Sequence, residues 1–238
     1  MSTKLEGRVA VVTGGTKGIG AAIARALLVE GASVVICGRS AESVDQAVAD
    51  LSPLGRVNGR VCDVGRFDDV AKFFRFIGET EKNLDYLINN AGVGRFAPLG
   101  ELDPAAWDET IATNLSGVFY CCHEAVPLMK KAGGGFIINI GSLAGKHPFA
   151  GGTAYNASKF GLAGFTEAMM LDLRNDNIRV SSIMPGSVDT KFGGADRPAA
   201  DWKIAPEHIA DTVIHLLTMP ERSLASRIEM RPSRPPQK

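Results

Sequence analysis

The chain has 238 residues, 45% of them hydrophobic and 22% charged, an ordinary globular composition that excludes a disordered polymer. Lysine plus arginine and aspartate plus glutamate number 26 each, so no net field draws the chain to nucleic acid or to an anionic membrane. No run approaches the ~18 apolar residues that cross a bilayer, and Lys4, Glu6 and Arg8 interrupt the start, so a cytoplasmic protein is expected.

Short β-rich runs alternate with longer amphipathic segments. "RVAVVTG" (8–14) reads as a buried strand, and "GAAIARALLVEG" (20–31) as a helix that stops at Gly31. "SVVICG" (33–38) is a second strand, followed by a helix over 40–51 with Ser40 as N-cap. A third strand is expected at "RVCDV" (60–64), a helix at 68–82, and a fourth strand in "LDYLINNAG" (84–92). The period of 114–132 is helical, with Asn114 near its opening and a kink expected at Pro127. Strand 134–142, helix 155–175, strand 179–186, helix 205–219 and strand 226–232 complete the series. Pro206 suits the first turn of its helix. Such alternation, without a linker, predicts one α/β domain: a doubly wound, mostly parallel sheet covered by helices on both faces.

Cys37, Cys62, Cys121 and Cys122 form no CxxC pair, and His123 adds no metal-type spacing. Buried thiols in a reducing compartment are expected, with no metal site.

The first strand runs directly into "TGGTKGIG", with glycines at 14, 18 and 20 ahead of a helix. Glycine permits a tight turn and close backbone approach, and the helix N-terminus favours an anion, so a pyrophosphate fits here. The second strand ends in Gly38, Arg39 and Ser40, where an NAD site would carry an acid for the ribose 2′-hydroxyl. Arginine offers forked donors to a 2′-phosphate, and Lys17 adds a second cation, so NADP(H) is expected in preference to NAD.

With "NNAG" (89–92) and the set Ser142, Tyr155 and Lys159, these motifs resemble the short-chain dehydrogenase/reductase family. The resemblance runs in the family's motif order from Thr13 to about Gly186. It implies a single Rossmann-type domain with a seven-stranded parallel sheet. It also implies that Gly14, Gly18 and Gly20, with Thr16, Lys17 and Ile19, hold the pyrophosphate and nearby ribose. Asp63 and Val64 would contact the adenine, and Asn90, Ala91 and Gly92 would flank the adenosine ribose. Pro185 and Gly186 would lie against the nicotinamide, with Val188 and Thr190 reaching its carboxamide. Asn114, Ser142, Tyr155 and Lys159 match the family's catalytic four.

Those four residue types suit carbonyl reduction. Hydride transfer leaves charge on the carbonyl oxygen, which needs a hydrogen bond and then a proton. Tyr155 would be the acid in reduction and the base in oxidation. Lys159, four residues on and on the same helical face, would lower its pKa and also reach the cofactor ribose. Ser142 would hydrogen-bond the substrate oxygen, and Asn114 would hold a water linking Lys159 to solvent.

A serine hydrolase would need G-x-S-x-G, which "NIGSLAG" does not supply. A non-catalytic NADP(H)-binding redox sensor would be expected to lose Tyr155 or Lys159. The expected substrate is a small ketone or aldehyde, with a 3-oxoacyl-[acyl-carrier-protein] thioester as the alternative. Lys130 and Lys131 resemble half of a carrier-docking patch, but "RNDN" replaces the other half. His147 is read either as lining the substrate side or as an exposed loop histidine. Segment 187–206, mobile through Gly193, Gly194 and Ala195, would be the substrate lid, and 232–238 a flexible tail. Family members pair through the helices at 114–132 and 155–175, so a homodimer or homotetramer is expected.

Overall fold

A computed structural model describes residues 3–193 and 200–235. β1 (Val9–Thr13) is buried at every position, as expected of a strand with helices on both sides. Its side chains alternate: Ala10 and Val12 enter one core, Val11 the other. The first core packs α1 (Gly18–Val29), α2 (Ala41–Leu51) and α7 (Pro206–Leu217) on the sheet through Ile23, Leu27, Leu51, Ile209 and Val213. The second packs α3 (Phe67–Thr80), α5 (Gly117–Ala132) and α6 (Thr153–Leu173) through Phe73, Phe74, Ile77, Met129 and Leu162.

The remaining strands are β2 (Ser33–Gly38), β3 (Val57–Val61), β4 (Tyr86–Asn89), β5 (Gly135–Ile140), β6 (Ile178–Pro185) and β7 (Arg227–Met230). They form one parallel sheet in the order β3-β2-β1-β4-β5-β6-β7. The chain runs outward from β1 to β3, then returns to lay β4 against the other side of β1. That reversal opens a crevice at the carboxyl ends of β1 and β4, where such sheets bind ligands.

Three local expectations are corrected. The third strand lies at 57–61 rather than 60–64. As an edge strand with no fully buried residue it lacks an apolar pattern, whereas the buried Cys62 and Val64 lie beyond its end. Asp63 and Val64 are therefore loop residues. A further helix, α4 (Pro104–Ile111), starts at the Asp103 cap and the Pro104 first turn. It continues through a π-helical turn, Ala112–Ser116, into α5, so Asn114 sits inside that turn rather than opening a helix. Pro127 lies within α5. Of the expected lid, Gly194 and Ala195 lie outside the described residues, as do 236–238 of the expected tail.

Candidate functional site

The glycine turn is built as a cradle. Gly14 (φ 62°) and Gly18 (φ 54°) take left-handed backbone that a side chain would strain. A Cβ at Gly20 would collide with the Gly14 carbonyl, so the helix start can press against the turn only as glycine. From β4, Asn90 Nδ2 donates to the carbonyls of Thr13 (3.0 Å) and Gly14 (3.1 Å). Thr13 Oγ1 accepts from the backbone of Asn90 (3.0 Å) and Ala91 (3.1 Å). "NNAG" thus pins the two strand ends on either side of the crevice, and Thr13 is a structural partner that the sequence reading did not assign.

Of the other residues expected to contact the cofactor, Thr190 and Thr16 touch the turn or the end of β2, and the rest are held by local contacts. Thr190 overlies Gly18, with its methyl 3.3 Å from where a Cβ would stand. Val188 and Ile204 form a parallel bridge that closes the stem of segment 187–206. Pro185 ends β6, and Gly186 packs against Leu143. Thr16 abuts Gly38, which brings the turn against the end of β2. Asp63 Oδ1 accepts from Gly65 N (3.0 Å), holding the loop after β3. Ser40 caps α2, its hydroxyl accepting from Ser43 N at 3.4 Å.

Tyr155 and Lys159 lie on one face of α6, with the Lys159 ammonium 5.7 Å from the Tyr155 ring centre. Lys159 is buried and donates to the Ile140 carbonyl at 3.0 Å. Burial pulls its pKa from 10.5 down to about 8. The Tyr155 hydroxyl is raised above its ordinary value, because burial outweighs a hydrogen bond from Ser142 that lowers it. The expected lowering by Lys159 is therefore corrected: desolvation dominates. Ser142 sits at the carboxyl end of β5, where its Oγ also accepts from Ala144 N at 3.1 Å.

Asn114 is fully buried. Its side chain accepts from Val93 N (2.8 Å) and donates to Val93 O (2.9 Å) and Ser158 Oγ (3.1 Å). Both amide protons are thus used on the protein. The π-helical turn around it departs from regular backbone pairing, a feature common where a helix serves a site.

Arg39 does not stand alone. Its Nη1 meets Glu109 Oε1 at 3.0 Å, while Arg95 Nε meets Glu109 Oε2 at 2.8 Å. The two guanidiniums hold the Glu109 carboxyl below its usual range, Arg95 acting more strongly. This bridge joins the end of β2, helix α4 and the loop after β4. A lone acid on α4 carries no sequence signal for such a role.

A family model described as short chain dehydrogenase matches residues 8–201. The chain belongs to the short-chain dehydrogenase family. An uncharacterized oxidoreductase of Staphylococcus aureus (strain USA300) is 34% identical over 230 residues, covering 97% of this chain and 99% of the relative. Among solved structures, a metagenomic short-chain oxidoreductase in complex with NADP superposes with a TM-score of 0.86 at 39% identity, covering 98% and 100% of the two chains. An alcohol dehydrogenase from the archaeon Thermococcus sibiricus, complexed with 5-hydroxy-NADP, gives 0.90 at 28% identity, covering 97% and 99%. The seven-stranded Rossmann-type sheet and single domain of this short-chain dehydrogenase are those of its relatives.

Within this dehydrogenase the site is also braced from below. Asn89 Nδ2 donates to Asn139 Oδ1 (2.9 Å), and Asn139 Nδ2 to Thr166 Oγ1 (2.8 Å), linking β4, β5 and α6 inside the core. His147 is exposed, as the second of its two readings has it, and Phe149 faces Tyr155. Among the described residues no helix is long and apolar enough to cross a membrane.

Proposed function

We propose that this short-chain dehydrogenase transfers hydride between NADP(H) and a carbonyl or secondary alcohol. The observation that carries the proposal is the Tyr155–Lys159–Ser142 cluster at the carboxyl ends of β5 and β6, beside the glycine cradle of β1. The residues fit the cofactor: left-handed glycines and a helix N-terminus suit its pyrophosphate, and Arg39 with Lys17 suits a 2′-phosphate. The relatives bound to NADP and 5-hydroxy-NADP support this choice over NAD. When bound, NADPH supplies the hydride.

The protein's own residues do the rest. Ser142 and Tyr155 direct hydroxyls at the carbonyl oxygen and stabilise the charge that develops on it. Tyr155 then donates its proton, which burial keeps on the hydroxyl at neutral pH. Lys159, held by the Ile140 carbonyl with its ammonium 5.7 Å from the Tyr155 ring centre, does not outweigh the burial that raises the Tyr155 hydroxyl. Proton return passes through Lys159 and a water held at the π-helical turn of Asn114. Thr190 and Val188 close the stem of the substrate lid over the cradle. The four cysteines are buried and free, which suits the reducing cytoplasm where we place the reaction.

The test is loss of NADPH absorbance with a set of ketones and aldehydes alongside acetoacetyl-coenzyme A. Turnover of simple carbonyls supports the proposal, whereas inactivity across the whole set, with NADPH still bound, favours a redox sensor. A 3-oxoacyl thioester borne on a carrier protein should be the poorer substrate. Lys130, which with Lys131 makes up half of the expected carrier patch, pairs with Asp176 at 2.7 Å, which weakens its pull on an acidic carrier.

We also propose that α5 and α6 pair across a dimer interface. Phe119 is half-exposed on α5, and its ring meets Tyr120, His123 and, from α6, Phe165 at 5.8–6.2 Å. Exposed aromatic clusters of this kind mark contact surfaces. Light scattering should give the mass of a dimer or tetramer, and a monomer at micromolar concentration would contradict the pairing.

A further inference from the structure

Tyr155 is ringed by phenylalanines that the proton-transfer chemistry does not require. The Phe96 ring centre lies 5.6 Å from that of Tyr155, Phe192 5.7 Å and Phe149 6.4 Å, and Phe96 meets Phe149 at 5.8 Å. Phe96 comes from the loop after β4, Phe149 from the loop before α6, and Phe192 from the lid segment after β6. Three independent connections therefore deliver the same side chain to one place.

The backbone is shaped for these rings. A Cβ at Gly94 would stand 2.7 Å from both Phe192 and Phe96, and one at Gly152 would stand 2.5 Å from Phe149. Gly193, at φ 81°, turns the lid directly beside Phe96. A side chain at 94 or 152 would displace a ring.

Yet the rings are not core. Phe96 is 48% exposed, Phe149 47% and Phe192 46%, although the same chain buries Phe73, Phe74 and Phe136 almost completely. Exposed apolar surface is unfavourable in water, so a concentrated patch against the Tyr155 ring points to a ligand that covers it. Aromatic rings meet edge-to-face or offset at about 4.5–7 Å, the spacing already present among these four.

We propose that Phe96, Phe149 and Phe192 form an apolar sleeve around the Tyr155 ring, and that the substrate is a ketone or aldehyde with an aryl group next to its carbonyl. The inference rests on the carbonyl-reductase reading above and narrows it. The aryl group lies against the three rings, which excludes water, and the carbonyl oxygen points to Tyr155 and Ser142. Reduction would add hydride from the cofactor to the carbonyl carbon and the Tyr155 proton to its oxygen, leaving a benzylic alcohol, secondary from a ketone and primary from an aldehyde, and oxidised cofactor.

The experiment compares kcat/KM for acetophenone and for 2-butanone with NADPH, in the wild type and in Phe96→Ala and Phe192→Ala. The wild type should favour acetophenone by at least about tenfold, and each alanine should cut that ratio several-fold, mostly through KM. Equal kcat/KM for the two ketones, or a ratio unmoved by either alanine, would overturn the sleeve. If neither ketone is reduced, calorimetric titration of the NADPH-loaded protein with acetophenone separates the two readings. Binding that is lost in Phe96→Ala would keep the sleeve while ending the reductase reading. No binding by the wild type would overturn the sleeve as well.

Discussion

Replacing Tyr155 by phenylalanine is expected to lower carbonyl reduction by about 10²–10⁴-fold, while NADPH still raises the melting temperature of the variant. The substitution removes one hydroxyl and keeps the ring, so contacts with Phe96, Phe149 and Phe192 persist and the fold has little to lose. What disappears is the hydroxyl proposed as the proton donor, with its hydrogen bond to Ser142. Near-wild-type turnover would remove Tyr155 from the mechanism. The pH behaviour carries the same logic with a definite sign. Burial raises the hydroxyl's pKa, so the protonated form needed for reduction persists through neutral pH. Oxidation needs the tyrosinate and should therefore gain rate as pH rises. An oxidation rate that falls from neutral to alkaline pH, in a protein that stays folded, would contradict the assignment.

The second large effect concerns the cofactor. Arg39→Asp should lower the NADPH:NADH affinity ratio by roughly 10–10²-fold. Hydrogen bonds between charged partners contribute about 1.5–3 kcal/mol each, and the new carboxylate repels the phosphate besides. Glu109 sharpens this prediction. It engages Arg39 at 3.0 Å, so a 2′-phosphate must share or displace that carboxylate. Arg95, on the other oxygen of Glu109, is a second cation close at hand. Glu109→Gln should consequently tighten NADPH more than NADH, in the direction opposite to Arg39→Asp. Because Arg39 is half-exposed, salt screening will hold this second effect to a few-fold. An unchanged ratio in Arg39→Asp would show that the guanidinium does not read the phosphate.

Much of this site was legible before the fold. The glycines at 14, 18 and 20 follow a β-branched strand directly, and only glycine fits the left-handed backbone found at Gly14 and Gly18. Tyr155 and Lys159 share a helical face by spacing alone, and the structure places them on one. Local rules of this kind survive folding because neighbouring residues enforce them.

The parts that escaped the sequence depend on distant residues. β3 carries Asn58, Gly59 and Arg60 on an exposed edge, so no apolar alternation marks it. The π-helical turn around Asn114 is matched to the Val93 backbone and Ser158, partners that are not adjacent in the chain. The pKa of the Tyr155 hydroxyl is expected from spacing to follow its charged neighbour, yet burial raises it. Phe96, Phe149 and Phe192 lie in three loops separated by tens of residues, and only the folded chain brings their rings to that of Tyr155.

One measurement tests the central claim most directly: mass spectrometry of the alcohol formed from a ketone and NADPH deuterated at the reactive nicotinamide carbon. The account predicts one deuterium on the carbinol carbon of the wild-type product, and no product above background from Tyr155→Phe. An unlabelled alcohol, or equal labelled product from the variant, would contradict direct hydride transfer with Tyr155 as the proton donor.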